Sequence, residues 1–179
     1  GNEVSAAYVT AFESLHTPTV ICLTRQNVRQ LEGSSIENAL HGAYQLAHSS
    51  AKPQIILVGT GSEVEICVDA AAELGATDGI EAHVVSMPCW ELFDAQPEDY
   101  RQSVFPAGVP VLSVEAMSTV GWAKYAHAQV GMHTFGASGP YKQVYEHFGL
   151  TAKNVAAKAR ATVEFYKSEP VANLVKRPF

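Results

Sequence analysis

An arginine is the side chain best placed for binding chemistry in this 179-residue sequence. Residues 19–23 are apolar and rich in β-branched types, which predicts a strand of the kind buried on both faces of a parallel sheet. Thr24-Arg25-Gln26-Asn27 follow, polar and turn-prone. Open α/β sheets place ligand-contacting side chains at the carboxyl ends of their strands. A guanidinium there is a planar fork suited to phosphate or carboxylate. On the residues alone, the favoured reading of Arg25 is a surface side chain lying along a strand end.

Other candidates are weaker. Gly59-Thr60-Gly61-Ser62-Glu63-Val64 is glycine-rich, but a dinucleotide fingerprint needs a small residue where Val64 stands, and no Walker lysine follows. A close-packed turn is favoured there, although a helix N-terminus could still attract an anion. His41/His48 and His127/His133 do not have zinc-ligand spacing. Glu65, Asp69 and Glu73 form an acidic stripe at helical spacing, read as a solvated face with some repulsion. Trp122, Tyr125 and Phe135 are expected in the core or at a domain interface. No Gly-x-Ser-x-Gly elbow or cysteine-centred catalytic motif is present. The cysteines, Cys22, Cys67 and Cys89, are odd in number and form no CxxC pair, which fits reduced thiols in a cytoplasmic protein.

With 47% hydrophobic and 17% charged residues, the chain has a globular composition. No apolar run approaches the ~20 residues that span a bilayer, so no membrane partner is expected. Charge is uneven: residues 1–141 hold five Lys/Arg against fifteen Asp/Glu, residues 142–179 seven against three. The basic residues of the second part are scattered, without interleaved aromatics. That favours a solvated helix face over nucleic-acid binding.

These residues must be held by regular elements. Val4, Ala7, Tyr8, Ala11, Phe12 and Leu15 share one helical face, with Asn2 as the expected N-cap and Thr17-Pro18 as the stop. Residues 26–35 read as a linker. Ser34 with Glu37 makes a capping box, and over 38–47 Leu40, Ala43, Tyr44 and Ala47 read as a helix face, a reading that Gly42 weakens. Strands are predicted at 55–58, 82–86 and 109–114. Between them lie a helix capped by Ser62 with Glu65, burying Val64, Cys67, Val68, Ala71 and Leu74, and a second helix at 97–104. Helices at 119–129 and 141–148 flank a short strand near 132–135. A final helix starts at Thr151, with Val155, Ala159, Val163 and Tyr166 inside. The expected fold is α/β: a mainly parallel mixed sheet with helices on both faces, preceded by an orphan helix and strand.

Gly1-Asn2-Glu3-Val4-Ser5-Ala6-Ala7-Tyr8 and Leu23-Thr24-Arg25-Gln26-Asn27 resemble the end of the pyrimidine-binding domain of transketolases and the linker beyond it. Gly59-Thr60-Gly61-Ser62-Glu63-Val64, Val84-Val85-Ser86-Met87-Pro88, Ser113-Val114-Glu115, Trp122-Ala123-Lys124-Tyr125-Ala126-His127 and Phe135-Gly136-Ala137-Ser138-Gly139 follow in family order. The details look like the fungal, bacterial and plant form. The resemblance implies two parts, residues 1–35 closing the pyrimidine domain and residues 36–179 forming the C-terminal α/β domain, and it implies a strand rather than a helix over 42–47. It implies a cytoplasmic, homodimeric enzyme of the pentose phosphate pathway that moves a two-carbon ketol unit between sugar phosphates. Thiamine diphosphate and a divalent metal (Mg or Ca) would be bound by domains absent here. Arg25 would hold substrate phosphate, and it is the only site residue carried over, although Thr24 stands where many relatives have Ser. No catalytic, cofactor-binding or metal-binding residue is expected in 1–179, which should be inactive alone and partner the remainder of its chain. Dihydroxyacetone synthase shares much of this pattern, and a freestanding interaction or regulatory module is the rival from another class.

Overall fold

The computed structural model describes residues 1–47 and 52–177. The elements run α1 (Asn2–Glu13), α2 (Ile36–Ala39), β1 (Tyr44–Ala47), β2 (Ile55–Gly59), α3 (Glu63–Asp78) and β3 (Ala82–Ser86). Then come α4 (Trp90–Asp94), α5 (Glu98–Val104), β4 (Val111–Ser118), a 3-10 turn (Trp122–Lys124), β5 (Ala128–Met132), α6 (Tyr141–His147) and α7 (Ala152–Phe165). The strands form one sheet in the order β1-β3-β2-β4-β5. β2 pairs in parallel with both β3 and β4, and β4 in parallel with β5. Only the edge strand β1 is antiparallel.

The apolar run of β2 divides cleanly between two cores. Ile55 and Leu57 face one, built with Val64, Cys67, Ala70 and Leu74 of α3 and Val155, Ala156 and Ala159 of α7. Ile56 and Val58 face the other, with Phe93 of α4, Val104 of α5, Trp122 and Tyr125. A strand continuously apolar in sequence is thus one covered on both sides. Ion pairs lock the helical layer: Arg160 of α7 reaches Glu73 at 3.0 Å and Asp78 at 2.7 Å on α3. The tail closes the second core, with Val175 buried and Arg177 paired with Asp94 at 3.1 Å, where Lys124 also binds.

Several expectations need correction. Residues 19–23 form no strand among the described residues; Val20 is 85% exposed and Leu23 62%. A buried parallel strand exists only with ladder partners on both sides, and none lies against this segment. The helix expected at 119–129 shrinks to one 3-10 turn, and the strand expected near 132–135 lies earlier, at Ala128–Met132. Trp122, Tyr125 and Ala126 mimic helical periodicity because one tight turn aligns them into the core. From Ala128 onward, pairing with Leu112, Ser113 and Val114 of β4 wins the backbone. Phe135 is fully exposed, not in the core. The caps also move: α1 starts on Gly1 and α2 on Ser35, whose hydroxyl accepts from Asn38 N at 3.0 Å. The Ser62 hydroxyl makes no cap bond to α3. The acidic stripe of α3 is met rather than merely solvated, since Arg29 binds Asp69 at 2.8 Å and Arg160 binds Glu73. His41 stacks on Tyr100 and His127 bonds to backbone, while His48 lies outside the described residues. The strand over 42–47 is present as β1, and α7 starts on Thr151, whose hydroxyl accepts from Asn154 N.

Helix α1 is less of an orphan than its sequence suggests. Ala6 is buried in the first core, Glu3 accepts from Tyr44 at 2.8 Å and from Ser86, and Asn2 donates to Ser34 O at 2.7 Å. Its end is bare: Phe12, and Leu15 just beyond the helix, lie in solvent.

At Gly42, φ is +83°, and a Cβ would sit 2.3 Å from Phe93 N and 2.4 Å from Cys89 O, both backbone atoms that cannot yield. Gly42→Ala should therefore destabilise by at least ~2 kcal/mol through left-handed strain plus the clash. Urea denaturation checks this, and an unchanged midpoint would refute the close approach of β1 to α4.

Candidate functional site

The strand order places a topological switch at β2. The chain leaves β2 through α3 to β3 on one side, then crosses back through α4 and α5 to β4 on the other. Such a switch opens a crevice at the carboxyl ends of the two strands, the usual ligand position in open α/β sheets. The turn after β2 supplies Thr60, Ser62 and Glu63, and β4 supplies Glu115, one residue past the Gly59↔Val114 pairing. The turn is close-packed, as the sequence favoured: a Cβ on Gly59 would meet backbone of Glu63 and Val64 at 3.2 Å.

Two carboxylates converge here. Glu63 is buried, and its Oε1 accepts from Tyr145 at 2.6 Å and from Ser62 Oγ at 2.9 Å. Glu115 lies within hydrogen-bonding reach of Glu63 and Thr60. Burial, then the charge and hydrogen bond of Glu63, push the Glu115 carboxyl up to about 8. Two adjacent acids in a poorly hydrated site cannot both ionise cheaply, so the Glu115 carboxyl keeps its proton at neutral pH. Burial, then the bond to Glu63, also raises the Tyr145 phenol. Tyr145 accepts at 3.3 Å from Gln26, the residue after Arg25. A cavity of about 260 Å³ opens beside Gln26, Ser62 and Tyr145. A larger one, about 390 Å³, lies between α1, residues 19–24 and the sheet edge.

Arg25 sits in an exposed bend rather than at a strand end, and among the described residues it has no hydrogen-bond or ion-pair partner. Its guanidinium is therefore open to an anion. The described residues contain no His, Cys, Asp or Glu cluster able to hold a metal. Cys67 is buried and Cys22 exposed, and both are free. Glu63, Glu115 and Tyr145 were missed as a set by sequence reasoning. The one available signal was Glu115 itself, an acid ending an apolar strand.

Folding takes up a proton at Glu115, because its folded value lies above the ordinary carboxylate range of an unfolded chain. That contribution to stability is fully present below the ordinary range and is lost as pH rises through about 8. Glu115→Gln removes the titration, so the variant should outlast the parent at pH 9 by on the order of 1–3 kcal/mol and show little or no advantage at pH 5. Denaturant midpoints at the two pH values check this, and parallel curves for parent and variant would show that Glu115 ionises freely.

Comparison with known proteins gives this geometry its family. The family described as transketolase-like TK C-terminal domain matches residues 42–151. The probable transketolase of Schizosaccharomyces pombe is 50% identical over 180 residues, covering 100% of this chain and 26% of that protein. Transketolase 1 of Candida albicans is 51% identical with the same coverage. Among solved structures, Pichia stipitis transketolase in complex with sedoheptulose-7-phosphate superimposes with a TM-score of 0.95 at 51% identity, covering 100% of this chain and 26% of that one. The Leishmania mexicana transketolase gives 0.90 at 48%, over 96% of this chain and 25% of that one. The chain thus spans about a quarter of the length of the relatives it matches. With half of its residues identical along its whole length and the same fold, this chain belongs to the transketolase family.

Proposed function

We propose that this chain works as the C-terminal portion of a transketolase, which transfers a two-carbon ketol unit from a ketose phosphate to an aldose phosphate. Residues 1–35 close the pyrimidine-binding domain and lead into the C-terminal domain of residues 36–179. The whole enzyme is a cytoplasmic homodimer of the pentose phosphate pathway that uses thiamine diphosphate and a divalent metal. The observation that carries this reading is that similarity to transketolases runs through residues 1–41, beyond the matched domain, and so includes the Arg25 bend. A freestanding module would have no need of that segment.

The described residues do not fit the cofactor. Among the described residues no acidic or histidine cluster could take its metal, and Gly59 packs against the backbone of its own helix at Glu63 and Val64. The chemistry of the ketol carbanion belongs to the thiamine ring, so this chain's part is to bind substrate and support the fold. Arg25 is the binding group: exposed, permanently charged, without a partner among the described residues, and next to Gln26, which bonds to Tyr145. The Pichia stipitis structure is of a complex with a sugar phosphate, the class of ligand such a fork suits.

In the complete enzyme, Arg25→Ala should lower kcat/KM for phosphorylated substrates by ~10- to 100-fold, the equivalent of one charge-assisted pair. Most of the loss should fall on KM, since the contact is made about equally before and during reaction. Hydroxypyruvate with glycolaldehyde lacks the phosphate and should lose little. Equal losses on both pairs would make Arg25 a support of the fold. Polypeptide 1–179 alone should show no saturable thiamine diphosphate binding in calorimetric titration with magnesium, and a micromolar isotherm would overturn the assignment.

A further inference from the structure

Arg25 is an exposed side chain on an irregular bend, and among the described residues it makes no hydrogen bond or ion pair of its own. Such a side chain has many rotamers to lose on binding, and its backbone has no strand or helix to fix it. A binding arginine so placed depends on what holds its neighbours.

Those neighbours are tied to the sheet by a continuous chain of polar contacts. Thr24 donates its hydroxyl to Gln26 Oε1 across the bend, bracketing Arg25. The Gln26 amide donates to the Tyr145 hydroxyl at 3.3 Å, and Tyr145 donates to Glu63 Oε1 at 2.6 Å. Glu63 is buried at the first turn of α3, directly behind the end of β2, and receives Ser62 on the same oxygen. Three residues on, Arg29 N donates to Glu65 at 3.1 Å and its guanidinium binds Asp69 at 2.8 Å. The linker is therefore pinned to α3 at Gln26 and again at Arg29. The first pin needs α6, because Tyr145 is its only bridge to Glu63 among the described residues.

We propose that Tyr145 is a positioning residue for substrate phosphate, holding the Arg25 bend to the buried Glu63 through Gln26. This rests on the phosphate-reading role given to Arg25 above. The role assigned to Tyr145 is exerted through the linker, by its hydrogen bonds to Gln26 and Glu63. Its hydroxyl is the single atom that both accepts from Gln26 and donates to Glu63, so Tyr145→Phe breaks both links while keeping the ring that packs against the first core. A loosened bend lets Arg25 explore conformations away from the phosphate, and binding must then reorder it.

The test is steady-state kinetics of the complete enzyme with thiamine diphosphate and magnesium, on a phosphorylated pair and on hydroxypyruvate with glycolaldehyde. For Tyr145→Phe, the ratio of kcat/KM on the phosphorylated pair to that on the unphosphorylated pair should fall roughly three- to tenfold, carried by KM. Gln26→Met should reproduce the shift, and the double variant should add little, because both changes cut one chain. Gln26→Met also carries the test should Tyr145→Phe fail to fold. Arg25→Ala is run beside them. If it separates the two pairs but Tyr145→Phe and Gln26→Met leave the ratio unchanged, or lower both pairs alike, the linkage is wrong and the role of Arg25 stands. If Arg25→Ala itself does not separate them, both fall.

Discussion

Burial of β2 on both faces is the constraint from which the other features follow. Ile55 and Leu57 need α3 and α7 on one side, and Ile56 and Val58 need α4, α5 and the Trp122 turn on the other. A strand so enclosed has its backbone paired on both edges, by β3 and β4, and parallel pairing demands a helical crossover for each. Crossovers to opposite sides of one strand make the switch, and the switch opens the crevice. The position of Glu63 in the first turn after β2, and of Glu115 one residue past the Gly59↔Val114 pairing, is thus a consequence of how the hydrophobic core is closed.

A pair of acids so placed is electrostatically demanding. Low polarity makes an acid pair unfavourable unless it is partly neutral and well hydrogen-bonded. Glu63 meets this with donors from Tyr145 and Ser62, and Glu115 by keeping its proton. The same requirement draws α6 to the sheet edge, since the hydroxyl that satisfies Glu63 must come from outside β2 and α3. Once Tyr145 is there, it offers an acceptor to the linker. A polar group recruited to quiet a buried charge thereby becomes an anchor for an otherwise irregular segment.

How much of this the sequence reveals depends on whether the cause is local. β2, β3, α3 and α7 are legible because their periods are set by one core contact per turn or per pleat, as at Cys67, Leu74, Val155 and Ala159. Residues 19–23 have the composition of a buried strand, but a strand is a relation between segments, and no neighbour pairs with them. The 119–129 region misleads for the opposite reason, because Trp122 and Tyr125 imitate a helix through a single tight turn. Arg25 is singled out by a family motif, but the bend that holds it is not foreseen, because the strand expected before it has no partner among the described residues. Glu63, Glu115 and Tyr145 are separate, unremarkable letters until the fold brings them together.

The two ends of the crevice therefore divide their tasks by exposure. Glu63 and Glu115 cannot form a general anion site, since carboxylate charge repels phosphate. An exposed guanidinium attracts phosphate but in water gains little from any one contact unless its geometry is fixed. Precision has to be imported from the core to the surface, and here it travels through neutral groups: a phenol, a primary amide and a hydroxyl. Neutral links transmit position without adding a competing charge beside Arg25. A lysine or carboxylate in place of Gln26 would bring either repulsion of the arginine or a partner that occupies it. That is the physical reason for an amide to stand between the binding residue and the buried acid.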